Sequence, residues 1–165
     1  MANLLIITEP NEVLRKRSKE VVEFGPRLHE ILDDMTETMR EHNGAGIAAV
    51  QVGVLWRACV VDTSHGACEL VNPVITDTKK PKKGEEGCLS IPAMHGSVLR
   101  PQEITVKARD RYGKIFERTF LGREAVCVCH EVDHLDGVLL LQRLDADQRK
   151  EALRELRRRA EGVSP

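Results

Sequence analysis

Two histidines and the glutamate beside the first of them are the residues of this chain whose spacing best suits chemistry. His130 and His134 lie four positions apart and Glu131 follows the first, which gives the pattern H-E-x-x-H. On a helix, both imidazoles project from one face about one turn apart and can bind one metal ion. The glutamate can then take a proton from water activated by that ion. The pattern predicts a metal-dependent hydrolase; the alternative is a surface helix with two solvated histidines.

A catalytic site of this kind needs a third protein ligand and one open position. The metzincin extension of the pattern is excluded, because Leu140 stands where its third histidine should be. Glutamates of the highly charged terminal helix are expected to be solvated: Glu151, Glu155 and Glu161. Cys88 remains, in the segment 86–90 (EGCLS), and a thiolate with two imidazoles suits a borderline-soft metal ion.

The other four cysteines have simpler explanations in the sequence. Cys59 and Cys68 fall in strand patterns and are expected to be small core residues. Cys127 and Cys129 precede His130 on its own helix, and we expect neither to share the face that meets the metal.

Length and composition limit the class of protein. A chain of 165 residues predicts a single domain over 1–165 whose core needs no disulfide or structural metal. The net charge of −1 and the five aromatic residues argue against direct recognition of nucleic acid. An odd number of scattered cysteines indicates a reducing compartment. Because the N-terminus lacks a basic region and no apolar run approaches membrane length, we expect a cytoplasmic protein with no membrane partner.

Apolar periodicity predicts the elements that must position these residues. Helical spacing marks the ranges 26–42, 123–136 and 145–161, and alternation or short apolar runs mark strands. The strand predictions cover 4–7, 58–62, 68–76, 104–110 and 115–121, the last two joined by a hairpin turn. Residues 77–102, rich in Gly, Pro and charge, are expected to form a loop. The fold prediction is α+β: a mixed, mostly antiparallel sheet packed around the H-E-x-x-H helix, with an N-terminal and a C-terminal helix.

A run of small residues at 44–51 (GAGIAAVQ) lets backbone approach another group closely. It lacks the Lys-Ser/Thr of a P-loop and has no clear strand before its glycines. A phosphate cradle and a tight helix-to-strand connection both remain as interpretations of this run taken alone.

Together the segments 44–51 (GAGIAAVQ), 86–90 (EGCLS) and 130–134 (HEVDH) resemble the three signature motifs of the peptide deformylase family, in order and over nearly the whole chain. The resemblance implies that Cys88, His130 and His134 bind the metal, commonly ferrous iron in the cell. Zn²⁺, Ni²⁺ and Co²⁺ would accept the same ligands. The resemblance further implies an oxyanion hole made by the Gln51 amide and the Leu89 N–H.

The resemblance also implies how substrate would bind. Gly46 and Gly87 would pair with the substrate backbone, and the segment 44–46 with its Gly44 would border the site. Ala45 and Val126 are our expected walls for the methionine side chain. Two departures bear on substrate range: His95 stands where the family often has arginine, and Cys129 stands where it usually has glutamine.

The implied reaction is removal of the N-formyl group from the formyl-methionine of newly made polypeptides, with release of formate. Glu131 would act as the general base. The expected partners are formylated nascent chains, with association at the ribosome. Two alternatives remain: a metallopeptidase or amidase acting on another acyl group, and a catalytically reduced relative that sequesters an inhibitor. A purely structural metal site is disfavoured, because it would leave Glu131 without a role.

Overall fold

The computed structural model describes residues 3–162, apart from the side chains of residues 92–94. The single domain predicted over 1–165 therefore includes residues 1–2 and 163–165, which lie outside the described residues. The described strands are β1 (Gly46–Ala48), β2 (Ala58–Thr63), β3 (Gly66–Cys88), β4 (Ile91–Arg109) and β5 (Ile115–Leu121). The described α-helices are α1 (Pro26–Glu41), α2 (Arg123–Leu135), α3 (Leu140–Arg143) and α4 (Ala146–Ala160).

The five strands form one sheet in the order β1-β2-β3-β4-β5, and every pairing between neighbours is antiparallel. In the described part of the chain, parallel pairing is limited to an isolated bridge between Lys19 and Trp56. Helix α2, which carries the H-E-x-x-H pattern, packs against β1, β2, β4 and β5. The predicted α+β fold is confirmed, as are the three long helices and the strands at 58–62, 104–110 and 115–121.

Helices cover both faces of the sheet at β2. Cys59 and Val61 belong to the core that includes residues of α2, whereas Ala58 and Val60 belong to the core that includes residues of α1. Since successive side chains of a strand point to opposite faces, this arrangement explains the unbroken apolar run at 58–61. Helices α3 and α4 form a third core with Ile91 and residues near it.

Residues 77–102 are not a loop, so this prediction was wrong. They belong to a long hairpin in which β3 and β4 pair from Val71 and Arg109 out to Cys88 and Ile91. Much of this ribbon is exposed to solvent, so its lysines, glycines and prolines reflect exposure and not the lack of a strand. Leu89 and Ser90 form the turn at its tip.

The strand predicted at residues 4–7 is also wrong. The segment is extended, and its backbone bonds to two separate elements: Leu4 N–H donates to Thr38 Oγ1 at 2.7 Å, and Ile7 N–H donates to the Gln51 carbonyl at 2.7 Å. Two bonds to different partners do not make a strand ladder.

None of the helices in residues 3–162 combines the length and apolar character of a membrane span.

Candidate metal centre

The hairpin tip brings Cys88 against helix α2, although the cysteine lies 46 positions before His134 in the chain. Cys88 Sγ is 3.3 Å from His134 Nε2, and one ligand atom each of Cys88, His130 and His134 lie within 4.8 Å of one another. Zinc–sulfur bonds of about 2.3 Å and zinc–nitrogen bonds of about 2.0 Å place ligand atoms about 3.5 Å apart in a tetrahedral site. The three side chains therefore fit a small divalent metal ion.

Glu86 orients the first of the two histidines. His130 Nδ1 donates to Glu86 Oε1 at 3.1 Å, because a carboxylate only accepts, and this makes Nε2 the ring atom that can bind a metal. Burial lowers the pKa of His130, but hydrogen bonds with Cys88 and Glu86 outweigh burial and raise that pKa well above its usual value. The surroundings of His130 thus favour a positive charge, as a cation site requires.

His134 is almost fully buried and is neutral at physiological pH. Burial lowers the pKa of its ring to about 3, with the charges of His130 and Arg100 adding to the effect. Its Nδ1 is a buried atom that has no hydrogen-bond partner among the described residues. A neutral imidazole is the form that binds metal ions.

A buried ion network supports Glu86 and the helix between the histidines. Arg100 donates to both oxygens of Glu86, at 2.9 and 3.2 Å, and to Asp133 Oδ2 at 2.6 Å. Arg143 donates to the two Asp133 oxygens at 2.8 and 3.0 Å. Burial alone would raise the pKa of Glu86, but hydrogen bonds from His130 and Arg100 hold that pKa below its usual value. The network keeps Glu86 ionised as the partner of His130.

Glu131 lies beside the ligand cluster with 3 % of its surface exposed. Burial raises its pKa from 4.5 to about 7, and its Oε1 has no hydrogen-bond partner in the described structure. A Cβ atom at Gly46 would lie 2.7 Å from Glu131 Oε2, so the glycine is what lets strand β1 pass this close to α2. The carboxylate is ready to exchange a proton near neutral pH.

The Gln51 side chain is held in one orientation. Its Oε1 accepts from Ala48 N–H at 2.9 Å, and its Nε2 donates to Ser90 Oγ at 3.1 Å. The same nitrogen lies 3.9 Å from Cys88 Sγ. Leu89, whose N–H is the other predicted oxyanion donor, follows Cys88 directly in the hairpin turn, and its side chain fills the space beside Gly44.

A cavity of about 800 Å³ opens over these residues. Besides Cys88, His130, Glu131, Gln51 and Leu89, it is lined by every residue predicted to bind substrate: Gly44, Ala45, Gly46, Gly87, His95 and Val126. His95 is exposed and pairs with Gly87 across the hairpin, so it stands at the outer part of the cavity. The structure thus brings the predicted site residues to one cavity, apart from His134, which lies behind its wall against Cys88 and His130.

The prediction for Cys127 was wrong. Its side chain lines the cavity beside Glu131, because three and four residues along a helix return to the same face. It is not one of the three clustered ligand residues. Cys129 is buried near Arg100 and Asp133, where burial raises the pKa of its thiol to about 11. Cys59 is a fully buried core residue, as predicted, and Cys68 is partly buried against the same core.

Sequence patterns did not identify Arg100, Arg143 or Ser90 as residues that support the site. Asp133, the partner of both arginines, lies 33 positions from Arg100 and 10 from Arg143. Ile7, the partner of Ser90, lies 83 positions away. One signal was present, the acid at Asp133 on the buried helix, since a buried carboxylate needs a cationic partner.

Comparison with known proteins finds similar sequences and similar structures over nearly the whole chain. The family described as polypeptide deformylase matches residues 3–150. A peptide deformylase of Caldicellulosiruptor bescii is 47% identical over 98% of this chain and 97% of its own length, and one of Acetivibrio thermocellus is 44% identical over 96% and 95%. The crystal structure of a peptide deformylase from Legionella pneumophila superposes with a TM-score of 0.90 at 38% identity, over 99% of this chain and 100% of the other. A peptide deformylase from Ehrlichia chaffeensis, in complex with actinonin, gives a TM-score of 0.90 at 34% identity, over 96% and 98%.

Proposed function

The chain belongs to the polypeptide deformylase family, and we propose that Cys88, His130 and His134 hold its catalytic metal ion. It is an enzyme that removes the N-formyl group from the first residue of nascent polypeptides, with release of formate. The observation that carries the metal assignment is the convergence of one sulfur and two ring nitrogens within 4.8 Å, beside a buried glutamate. We further propose Fe²⁺ as the ion in the cell, while the ligands also suit Zn²⁺, Ni²⁺ or Co²⁺.

Glu131 is the proposed general base and acid. When bound, a divalent ion would lower the pKa of water and polarise the formyl carbonyl. Glu131 then takes the proton from the attacking water at its carboxylate and passes it to the leaving amine. Burial, which raises the pKa of Glu131 to about 7, supports this role, because such a group both accepts and releases a proton near neutral pH.

Gln51 and Leu89 are the proposed donors to the formyl oxygen as negative charge develops on it. The Gln51 amide is oriented by bonds to Ala48 and Ser90, and its Nε2 also lies 3.9 Å from Cys88 Sγ, beside the proposed metal site. Removal of one such donor typically lowers the rate by about 100- to 1,000-fold. Gln51→Ala should therefore lower turnover by this factor while the metal content stays unchanged.

The cavity wall supports the proposed path of the peptide. Gly46 of β1 and Gly87 of β3 line the cavity with backbone that carries no side chain, and Ala45 and Val126 offer apolar surface for the methionine. His95 is exposed and lines the cavity, and we propose that the residues after the methionine pass it. Because formylated N-termini arise on newly made chains, we propose that the enzyme acts in the cytoplasm near the ribosome, as one domain over 1–165.

Formate release from formyl-Met-Ala by the metal-loaded protein tests this proposal. We expect activity on this peptide and none on its acetylated counterpart, and we expect Glu131→Gln to lose at least about 100-fold in kcat, in line with general base catalysis. Glu124→Gln is the matched control, since Glu124 lies on the same helix and bonds Ser64 N–H outside the cavity. Equal hydrolysis of the acetylated peptide would indicate a broader amidase, and equal rates for Glu131→Gln and wild type would refute the mechanism.

A further inference from the structure

Ser90 is a fully buried serine that lies between the Gln51 amide and the N-terminal segment, by which we mean residues 4–9. We propose that Ser90 is a positioning residue for the oxyanion hole and that the N-terminal segment completes this arrangement. The inference rests on the proposed function, because Gln51 is the donor that is positioned. Ser90 itself would contact neither substrate nor metal.

The direction of each hydrogen bond in this group is fixed by chemistry. The Ile7 carbonyl, 2.7 Å from Ser90 Oγ, can only accept, so the serine hydroxyl donates to it. The serine oxygen then has only lone pairs for Gln51, so it accepts from Nε2 at 3.1 Å. On the other side, the Ala48 N–H can only donate, and it meets Oε1 at 2.9 Å.

These bonds prevent the Gln51 amide from turning over. A half-turn would place the amide oxygen against the lone pairs of Ser90 and the amide nitrogen against the Ala48 N–H. Both hydrogen bonds would be lost inside a buried site, which is costly for groups without water. The second N–H of Gln51 is thereby kept on the side of Cys88, whose sulfur lies 3.9 Å from Nε2.

The N-terminal segment is tied to both halves of the site. Ile7 N–H donates to the Gln51 carbonyl at 2.7 Å, and Glu9 N–H donates to the Ser90 carbonyl at 2.9 Å. The Glu9 carboxylate is 2% exposed and pairs with Arg15 at 3.0 Å. The segment therefore joins two parts of the chain that are 39 positions apart in sequence and that each supply one proposed oxyanion donor.

Ser90→Ala removes the hydroxyl and with it both bonds. A misplaced donor stabilises the transition state less than a well-placed one, but its loss is smaller than the loss caused by removing the donor. We therefore expect kcat to fall about 10- to 100-fold. We expect KM to change by less than about threefold, since Gln51 would act on charge that appears only in the transition state. Metal content should stay at the wild-type level. Ser90→Thr, which keeps the hydroxyl, should recover most of the lost kcat.

A double-mutant cycle separates positioning from a general structural role. It compares Ser90→Ala, Gln51→Ala and the double variant by formate release from formyl-Met-Ala, with metal analysis of each protein. If Ser90 acts through Gln51, Ser90→Ala should cause no further loss once Gln51 is alanine. Ser18→Ala is the matched control, because Ser18 is also buried and its hydroxyl has no partner in the described structure; its kcat should equal wild type.

The outcomes distinguish this inference from the proposed function. Wild-type turnover by Gln51→Ala would refute the oxyanion assignment itself. A large loss in Gln51→Ala, with either wild-type kcat in Ser90→Ala or losses that multiply in the double variant, would overturn the role of Ser90 alone. If Ser90→Ala does not fold, Ser90→Cys, which keeps the size but weakens both hydrogen bonds, takes its place in the same cycle with the same two outcomes.

Discussion

The buried carboxyl group of Glu131 should be visible in the folding stability of the metal-free protein. Burial raises its pKa from 4.5 to about 7 in the folded state, whereas the unfolded chain keeps the ordinary value. Between these two values the folded protein binds the proton more tightly than the unfolded chain does. The free energy of unfolding therefore falls as pH rises through this window and levels off above the folded pKa.

The size of this effect follows from the pKa shift. A difference of 7 − 4.5, or about 2.5 units at about 1.36 kcal/mol per unit, corresponds to about 3 kcal/mol for the whole titration. Between pH 5 and pH 8.5 the wild type should lose about 2.5 kcal/mol of this, because at pH 5 the unfolded carboxyl group is already partly ionised. Glu131→Gln removes the titrating group, so its stability should lack this component.

Urea unfolding of chelator-treated proteins at a series of pH values measures the difference directly. Between pH 5 and pH 8.5, the free energy of unfolding of the wild type should fall by about 2.5 kcal/mol more than that of Glu131→Gln. For a small protein this is a change of roughly 1 to 2 M in the urea midpoint. Glu124→Gln should follow the wild type. Addition of Zn²⁺ should flatten the wild-type profile, because a nearby cation favours the ionised carboxylate. Parallel profiles for wild type and Glu131→Gln would refute the burial argument.

Three further predictions concern the surroundings of this group. Gly46→Ala places a Cβ atom 2.7 Å from Glu131 Oε2, so we expect kcat/KM for formyl-Met-Ala to fall at least about 10-fold while circular dichroism stays unchanged; wild-type activity would contradict this close approach. Arg100→Met leaves two buried carboxylates without their shared partner, and urea unfolding should show a loss of about 3 to 5 kcal/mol; a loss below about 1 kcal/mol would argue against a buried network. Cys88→Ala should lower the bound metal to less than about a tenth of wild type by atomic emission, whereas Cys68→Ala should retain it; full metal content in Cys88→Ala would exclude the cysteine as a ligand.

The parts of the site that sequence could predict are those carried by short linear patterns. The spacing of His130 and His134 needs only a helix to bring both rings to one face. Cys88 was left as the third ligand after the other possible ligands had been excluded. The roles of Gln51 and Leu89 were inferred from the resemblance to a family. The supporting contacts of Ser90 could not be inferred, because Ile7 lies 83 positions away and no pattern encodes such a pairing.

The fold was predictable wherever one face of an element is buried and the other is not. Helix α1 shows that contrast, and so do the alternating residues of β4 near its end. Helix α2 has no exposed residue after Arg123, and α4 has a single buried residue, Ala152. The outer part of the β3–β4 hairpin does not show it in its sequence. Residues 76–85 of β3 are exposed on both faces, and the buried positions of the facing part of β4 include Gly96 and Arg100, which give no apolar alternation. Its strand structure is held by pairing between two chain segments, which a local pattern does not record.

The position of Cys88 at the tip of that hairpin has a consequence for how the protein acquires its ion. The sulfur and the two rings come from segments 46 positions apart, so they meet only after the hairpin has docked on α2. An incompletely folded chain thus offers isolated ligands of low affinity and no chelate. If these three side chains hold the ion as proposed, loading should follow folding, and a partly synthesised chain should not compete for metal in the cell. When the metal-free protein is refolded from the fully unfolded state, uptake of Zn²⁺ should proceed no faster than the return of the native hairpin.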